Sequence, residues 1–407
     1  MPDAVGRDRP TDARALAILF VIALSLRPQL VGPVTLIDAI STSLGMSHAI
    51  AGLVGALPVL CMGVFAFFAP AVRRAIGTRS TVTLSLALIA LGGLVRSASP
   101  EIWSFLALTV VVGIGIGLAG AVLPVVVRQM VPMKAVGGTA AYSAGLQLGA
   151  ALAAASAVPI AILLGGWPAA LVALSVSCLI PLAVWLVAGP GRTHLADGGV
   201  RLSRAPLDRD ALTLALVFGL FGTVYYGLIA WLPDAYLEHG WSAASSGSVV
   251  AALNVASLVG ALTVAFLTAR IGYLLAVATL GVGFAIATTG FVVVPGAGIA
   301  WAVLAGYTNG ALLPLLLAQP VRVARAPDQV AWLSAVMLGG GYTIAALAPV
   351  ALGALRDSTG AFAMSFVVLA AVSVILAILT TIVGRQSVAV AGMPPASPTA
   401  GASKASS

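Results

Sequence analysis

The sequence predicts an all-α membrane protein with twelve transmembrane helices arranged as two pseudo-symmetric six-helix bundles. Three observations carry this prediction: the composition, the length and recurrence of the apolar runs, and the side on which the basic residues fall. Of 407 residues, 60% are hydrophobic and 8% are charged, and mean hydropathy is +1.11, whereas soluble domains hold about 25% charged residues. No soluble fold hides that much apolar surface. The apolar runs are each about 20 residues long, which matches the hydrocarbon thickness of a bilayer.

Windows of about 19 residues place the first six spans at 14–39, 48–71, 80–97, 102–127, 135–163 and 167–189. The second six fall at 211–233, 244–268, 273–294, 298–321, 329–354 and 361–384. The chain therefore divides into a leader (1–13), a first bundle (14–189), a central loop (190–210), a second bundle (211–384) and a tail (385–407). The tail is rich in Ala, Ser, Pro and Gly, a composition that predicts disorder. The first run follows a basic leader, as in a signal peptide, but it continues through Arg27, lacks a small-residue cleavage site and precedes many further spans. It is read as an uncleaved first helix.

Alternate loops differ sharply in charge. One side holds 17 of the 20 Lys and Arg residues, Arg96 and Arg356 are assigned to loops of the other side, and Arg27 lies within a span. Positive loops stay in the cytoplasm, so the leader, the central loop and the tail are all cytoplasmic and the span count is even. The net charge of +8 is then topological, and no basic patch points to nucleic acid. Cys61 and Cys178 both fall inside apolar runs and provide neither a disulfide framework nor a metal site.

The two bundles repeat one another at a spacing of about 190 residues. Ala75-Ile76-Gly77 after the second span parallels Arg270-Ile271-Gly272 after the eighth, and Ala121-Val122-Leu123-Pro124 parallels Ala311-Leu312-Leu313-Pro314. A duplicated six-helix unit places a substrate site between the halves near the midplane.

Arg27 is the most informative residue. It stands about 20 Å beyond Arg14 along the first helix, at a depth where a guanidinium costs at least about 2.5 to 3.5 kcal/mol. It either bonds backbone carbonyls freed by Pro28, which has no N–H, or meets an anionic or strongly polar substrate through its planar fork of donors. No carboxylate is expected at that depth, which favours the substrate role. Asp38, Glu101, Asp234, Glu238 and Asp357 are placed at outer loops or span ends, as are His48 and His239. Without an intramembrane acid, transport is expected to be facilitated diffusion, exchange, or symport with a weakly acidic substrate. Asp38 is the one candidate proton relay in the first half.

The remaining candidate substrate contacts are Gln29, Tyr142, Gln147, Tyr225, Tyr226, Asn254, Asn309 and Tyr342. Each serves equally well as helix–helix glue, worth about 0.6 kcal/mol per bond. Adjacent Tyr225 and Tyr226 in an apolar helix direct at least one ring inward. Trp231 beside Pro233 reads as an interface anchor. Gly115 to Gly120 matches G-x-G-x-x-G, but no βαβ unit or following acid accompanies it. Glycines 113, 117 and 120 are expected instead to allow close helix approach.

Leu26-Arg27-Pro28 with Val31-Gly32-Pro33 resembles the opening signature of the cyanate permease and nitroimidazole transporter family of the major facilitator superfamily. The likeness continues through Leu57-Pro58-Val59-Leu60, Leu123-Pro124 with Arg128, Tyr225-Tyr226-Gly227-Leu228, Trp231-Leu232-Pro233 and Gly341-Tyr342. It covers nearly all of residues 14–384. Two departures stand out. The superfamily's loop G-x-x-x-D-R-x-G-R retains Gly77 here but has Arg74 where the Asp would stand, and Gly120 holds a position where many relatives carry an amide.

The resemblance implies a major facilitator fold and a secondary active or facilitative carrier for a small polar or anionic solute, cyanate-like or a small organic anion. Its alternative is an efflux transporter of small aromatic compounds such as nitroimidazoles. The protein is expected to be a monomer in the inner membrane with a small-molecule substrate, no cofactor and no metal. An enzyme is disfavoured because no metal cluster or nucleophile–base pair is visible. A channel is disfavoured because no ring of pore charges is visible.

Overall fold

The computed structural model describes residues 12–99, 101–131, 135–190, 208–324 and 327–391. Most of the leader, the central loop and the tail lie outside these residues. The described chain is helical throughout, with twelve helices or helix pairs long and apolar enough to cross a membrane. An even number of crossings leaves both ends of the described chain on one side of the bundle, the near side. The opposite face is the far side.

The first span is built from α1 (Asp12–Leu24) and α2 (Pro28–Thr35), and a short α3 (Ile37–Leu44) follows it on the far side. The sequence predicts one helix here. It breaks before Pro28, which has no N–H to offer the Leu24 carbonyl. Ser25 and Leu26 close tight turns onto Ile22 and Ala23, at 3.2 and 3.1 Å, and the helix restarts with Leu30 and Val31 bonded to the Arg27 carbonyl. The second to fifth spans are α4 (His48–Ile76), α5 (Thr78–Ser97), α6 (Ile102–Met130) and α7 (Ala135–Leu164). The sixth divides at Cys178 into α8 (Trp167–Ser177) and α9 (Leu179–Ala188), where Pro181 leaves the Ser177 carbonyl without its helical donor.

The second half comprises α10 (Arg209–Glu238), α11 (Ala243–Ile271), α12 (Tyr273–Val293), α13 (Gly298–Leu317), α14 (Gln319–Val323), α15 (Pro327–Thr359) and α16 (Ala363–Ala391). The repeat seen in the sequence recurs in the backbone. Gly77 and Gly272 adopt nearly the same left-handed conformation, φ 83° and 81° with ψ 158° and 159°, at matching turns. Only glycine enters that region without strain. Ser47 and Ser242 cap the corresponding helices α4 and α11, accepting from the N–H groups of Ile50 and Ser245.

Across the halves α4 lies along α15 and α7 along α11, with α2 facing α10. The α4–α15 seam is tight: a Cβ on Gly52 would fall 2.5 Å from the Pro349 carbonyl oxygen. Large apolar side chains such as Trp103, Leu163 and Val187 point outward, where the surrounding solvent is hydrocarbon rather than water.

Candidate functional site

Arg27 sits in the break between α1 and α2, at the N-cap of α2. Its side chain is 9% exposed and its Nη1 has no hydrogen-bond partner. Tyr225, Tyr226 and Tyr342, all from the second half, lie close to it, with Tyr226 within hydrogen-bonding reach. Tyr142 of α7 lies close to both Arg27 and Tyr226. The rings of Tyr225 and Tyr226 meet edge to face at 5.1 Å, and Tyr226 lies 6.5 Å from Tyr342. The Tyr226 hydroxyl reaches the Met62 Sδ of α4 at 3.9 Å. One guanidinium is thus surrounded by tyrosines from three helices and both halves.

The amides form an adjoining layer. The Tyr225 hydroxyl donates to Asn254 Oδ1 at 3.0 Å, while Asn254 Nδ2 donates to the Val250 carbonyl. One turn further along α11, Ser257 Oγ accepts from both Gln147 of α7 and Asn309 of α13. Asn309 Oδ1 is buried without a partner. The structure therefore gathers Arg27, Tyr142, Tyr225, Tyr226, Asn254 and Tyr342 into one cluster, with Gln147 and Asn309 joined to it through α11.

Two sequence candidates stand elsewhere. Gln29 is 1% exposed, and its amide is engaged inside the first half by Ser175 Oγ at 2.9 Å and by Arg96 Nη2 at 2.7 Å. Asp38 is exposed on α3, and its electrostatic neighbour is Asp234, not Arg27.

Several expectations need correction. Arg96, assigned to a loop, is fully buried in the last turn of α5. The sequence offered a signal for this, since the third span as drawn already includes position 96. Asp234 lies near the end of the seventh span, as placed, but is buried there, 9% exposed inside α10. Trp231 is buried, and its Nε1 donates to the Pro349 carbonyl at 2.8 Å, so it joins α10 to α15 instead of anchoring the membrane interface. Gly113 and Gly117 pack closely against α4 as expected, but nothing lies within 4 Å of the Cβ position at Gly120. Ser257 and the far-side pair His48–Asp357 carry no functional signal in the sequence. Their residue types are common, and only the fold brings them together.

At that far-side pair, Asp357 of α15 accepts from the backbone N–H groups of His48 and Ala49 at 3.1 and 2.9 Å. Its Oδ1 is also 2.7 Å from His48 Nδ1. A carboxylate from one half thus caps the first turn of a helix in the other, where the orphan donors and the positive end of the helix dipole both favour it.

Comparison with known proteins places this geometry. Residues 16–301 match the model of the Major Facilitator Superfamily. The chain is 29% identical over 378 residues to the 2-nitroimidazole transporter of Escherichia coli strain K12, covering 91% of this chain and 95% of that protein. It is 32% identical over 358 residues to the cyanate transport protein of the same organism, covering 86% and 92%. Among solved structures, a bacterial homolog of the human lysosomal transporter Spinster, in an inward-facing and unoccupied conformation, superposes with TM-score 0.73 at 17% identity, covering 94% of this chain and 99% of that one. A D-xylose–proton symporter superposes at 0.71 with 14% identity, covering 92% and 97%. With twelve membrane-spanning helices, a backbone repeat and a polar cluster between its halves, the chain belongs to the Major Facilitator Superfamily and is a multi-pass membrane transporter.

Proposed function

We propose that the protein is an alternating-access carrier for a small polar or anionic solute, bound between the halves by Arg27 with Tyr142, Tyr225, Tyr226 and Tyr342 around it. The observation that carries the reading is a buried guanidinium with an unpartnered Nη1 and, among the described residues, no ion-pair partner. A charge left that way is unfavourable until an anion or strong acceptor supplies the missing bond. Asn254 and Asn309 supply complementary amide groups. The names of the relatives, cyanate transport protein and 2-nitroimidazole transporter, agree with a small polar solute.

Alternating access requires contacts that exist in one state only. The Asp357 cap on α4 and the Gln147–Ser257 bond both cross the halves. A substrate shifts the balance between states through its differential affinity for them. The distribution of Lys and Arg supports a cytoplasmic near side with both termini inside the cell, and the carrier is proposed to work as a monomer in the inner membrane.

A second reading, transport of small aromatic compounds, is supported by the four tyrosine rings. Thermal-shift measurements on purified protein with cyanate, small carboxylates, 2-nitroimidazole and sugars, repeated on Arg27→Ala, separate the two. Anion-specific stabilisation that disappears in the variant is the expected result. An aromatic shift that survives the substitution would favour the second reading and remove Arg27 from the site.

A further inference from the structure

A second arginine lies behind the first. Arg96 is 0% exposed and its Nε has no partner. Its Nη1 is 3.4 Å from Thr109 Oγ1, and its guanidinium carbon stands 5.5 Å from the centre of the Phe105 ring. Its strongest contacts go to the first span: Nη2 donates to Gln29 Oε1 at 2.7 Å and to the Gln29 backbone carbonyl at 3.3 Å. The sequence explains why that carbonyl is available. In an uninterrupted helix the Gln29 carbonyl would accept from residue 33, but residue 33 is proline and has no N–H. Arg96 provides the donor that Pro33 cannot.

The Gln29 side chain is fixed from its other end as well. Its Nε2 donates to Ser175 Oγ, which in turn donates to the Leu171 carbonyl at 2.7 Å. Room for this arrangement depends on Gly93, where a Cβ would lie 2.6 Å from Ser175 Oγ and 2.7 Å from Gln29 Oε1. Cys178 Sγ reaches the Ser25 carbonyl on the near side of the break at 3.5 Å. The third and sixth spans therefore hold the chain on both sides of Arg27, at Ser25 and at Gln29.

We infer that Arg96 is a positioning residue. By replacing the missing helical donor at Gln29 and gripping its amide, it fixes the α1–α2 break and so sets the direction in which Arg27 projects toward the cavity. This rests on the reading of Arg27 as the substrate contact. A buried cation without a carboxylate is a costly way to fasten two helices, and Arg96 holds both Gln29 oxygens through Nη2 while Nη1 reaches Thr109 Oγ1, a planar spread of donors that lysine does not offer.

The test follows the Arg27 side chain itself. In protein labelled with ¹⁵N-arginine, the Nε–H resonance of Arg27 is identified by its disappearance in Arg27→Lys. In Arg96→Met it is expected to shift and broaden before any solute is added. In Arg96→Lys, which keeps the charge, it should change in the same sense. In Arg96→Met with Pro33→Ala, which returns an N–H to the Gln29 carbonyl, it should move back toward the parent position. An Arg27 resonance unchanged in both single variants overturns the inference, and the lysine variant serves where the methionine variant does not fold. Titrating parent protein with sodium cyanate and with 2-nitroimidazole tests the substrate reading separately. If neither moves the Arg27 resonance, that reading fails whatever Arg96 does.

Discussion

Replacing Asp357 with alanine removes three contacts to the start of α4: the N–H groups of His48 and Ala49 at 3.1 and 2.9 Å, and His48 Nδ1 at 2.7 Å. Truncating a capping carboxylate costs about 1 kcal/mol. The His48 side-chain contact adds only about 0.5 kcal/mol, because the two side chains are 35% and 31% exposed and water screens them. All of these contacts cross from one half to the other, so their loss falls on the state in which the far side is closed. A cost of about 1.5 kcal/mol corresponds to roughly a tenfold shift toward opening. Spin labels at Ser43→Cys and Ala244→Cys, both exposed on the far side, report this as an added long-distance population in pulsed EPR. The measurement is made in a Cys61→Ala, Cys178→Ser background, since those two cysteines are buried. Glu238→Ala is the control. Its partners Arg356 and Phe362 belong to the same half, so it should leave the distances alone. Identical distance distributions in Asp357→Ala and the parent, or equal widening in the control, would refute the assignment of this pair as the far-side latch.

Other outcomes follow from the same geometry. Gly52→Ala places a methyl against the Pro349 carbonyl and should widen the same label pair, since the obstacle is backbone that cannot move aside; an unchanged distribution would show that the seam adjusts. Ser257→Ala leaves Gln147 Nε2 and Asn309 Nδ2 without their shared acceptor, a loss of about 1 to 3 kcal/mol that calorimetry should record as a lower melting temperature. Arg27→Lys keeps the charge but loses the planar fork, so cyanate affinity, followed by thermal shift, should fall by about tenfold while responses to sugars stay as in the parent.

The fold was largely legible because lipid imposes one rule along the whole chain: each crossing needs a long apolar helix, and loop charge alternates with side. Twelve spans and the repeat follow from that rule, and the paired glycines at 77 and 272 show the repeat persisting at the level of single dihedral angles. The site was legible where chemistry is scarce. Arg27 stood out because a cation in hydrocarbon demands a reason, and the tyrosine pair because polar rings are rare in this sequence. What could not be read was direction. Gln29 follows Arg27 by two residues, yet it turns into the first half while Arg27 faces the second. Arg96 was assigned to a loop by its place at the end of an apolar run. At Gln29 helix periodicity is unreliable, because the proline break beside it changes the course of the helix beyond.

Two prolines flank the short segment Gln29 to Gly32 at that break. Pro28 leaves the Leu24 carbonyl without its helical donor, and Pro33 does the same for Gln29. An interrupted helix at the midplane exposes backbone polar groups that lipid cannot satisfy, so it persists only where protein surrounds it. Here the surroundings are specific: Cys178 at the Ser25 carbonyl, Arg96 at Gln29, and helix α7 drawn so near that a Cβ on Gly149 would lie 2.2 Å from the Leu24 carbonyl oxygen. The stretch Arg27-Pro28 to Gly32-Pro33 that carries the family likeness is therefore one device with two faces. Its arginine is turned toward the second half, and its freed carbonyl is turned inward to a second arginine. Substitutions on the inward face should alter how Arg27 is presented without touching the substrate, and the relation between Gln29 and Arg96 can be examined by restoring the donor at position 33.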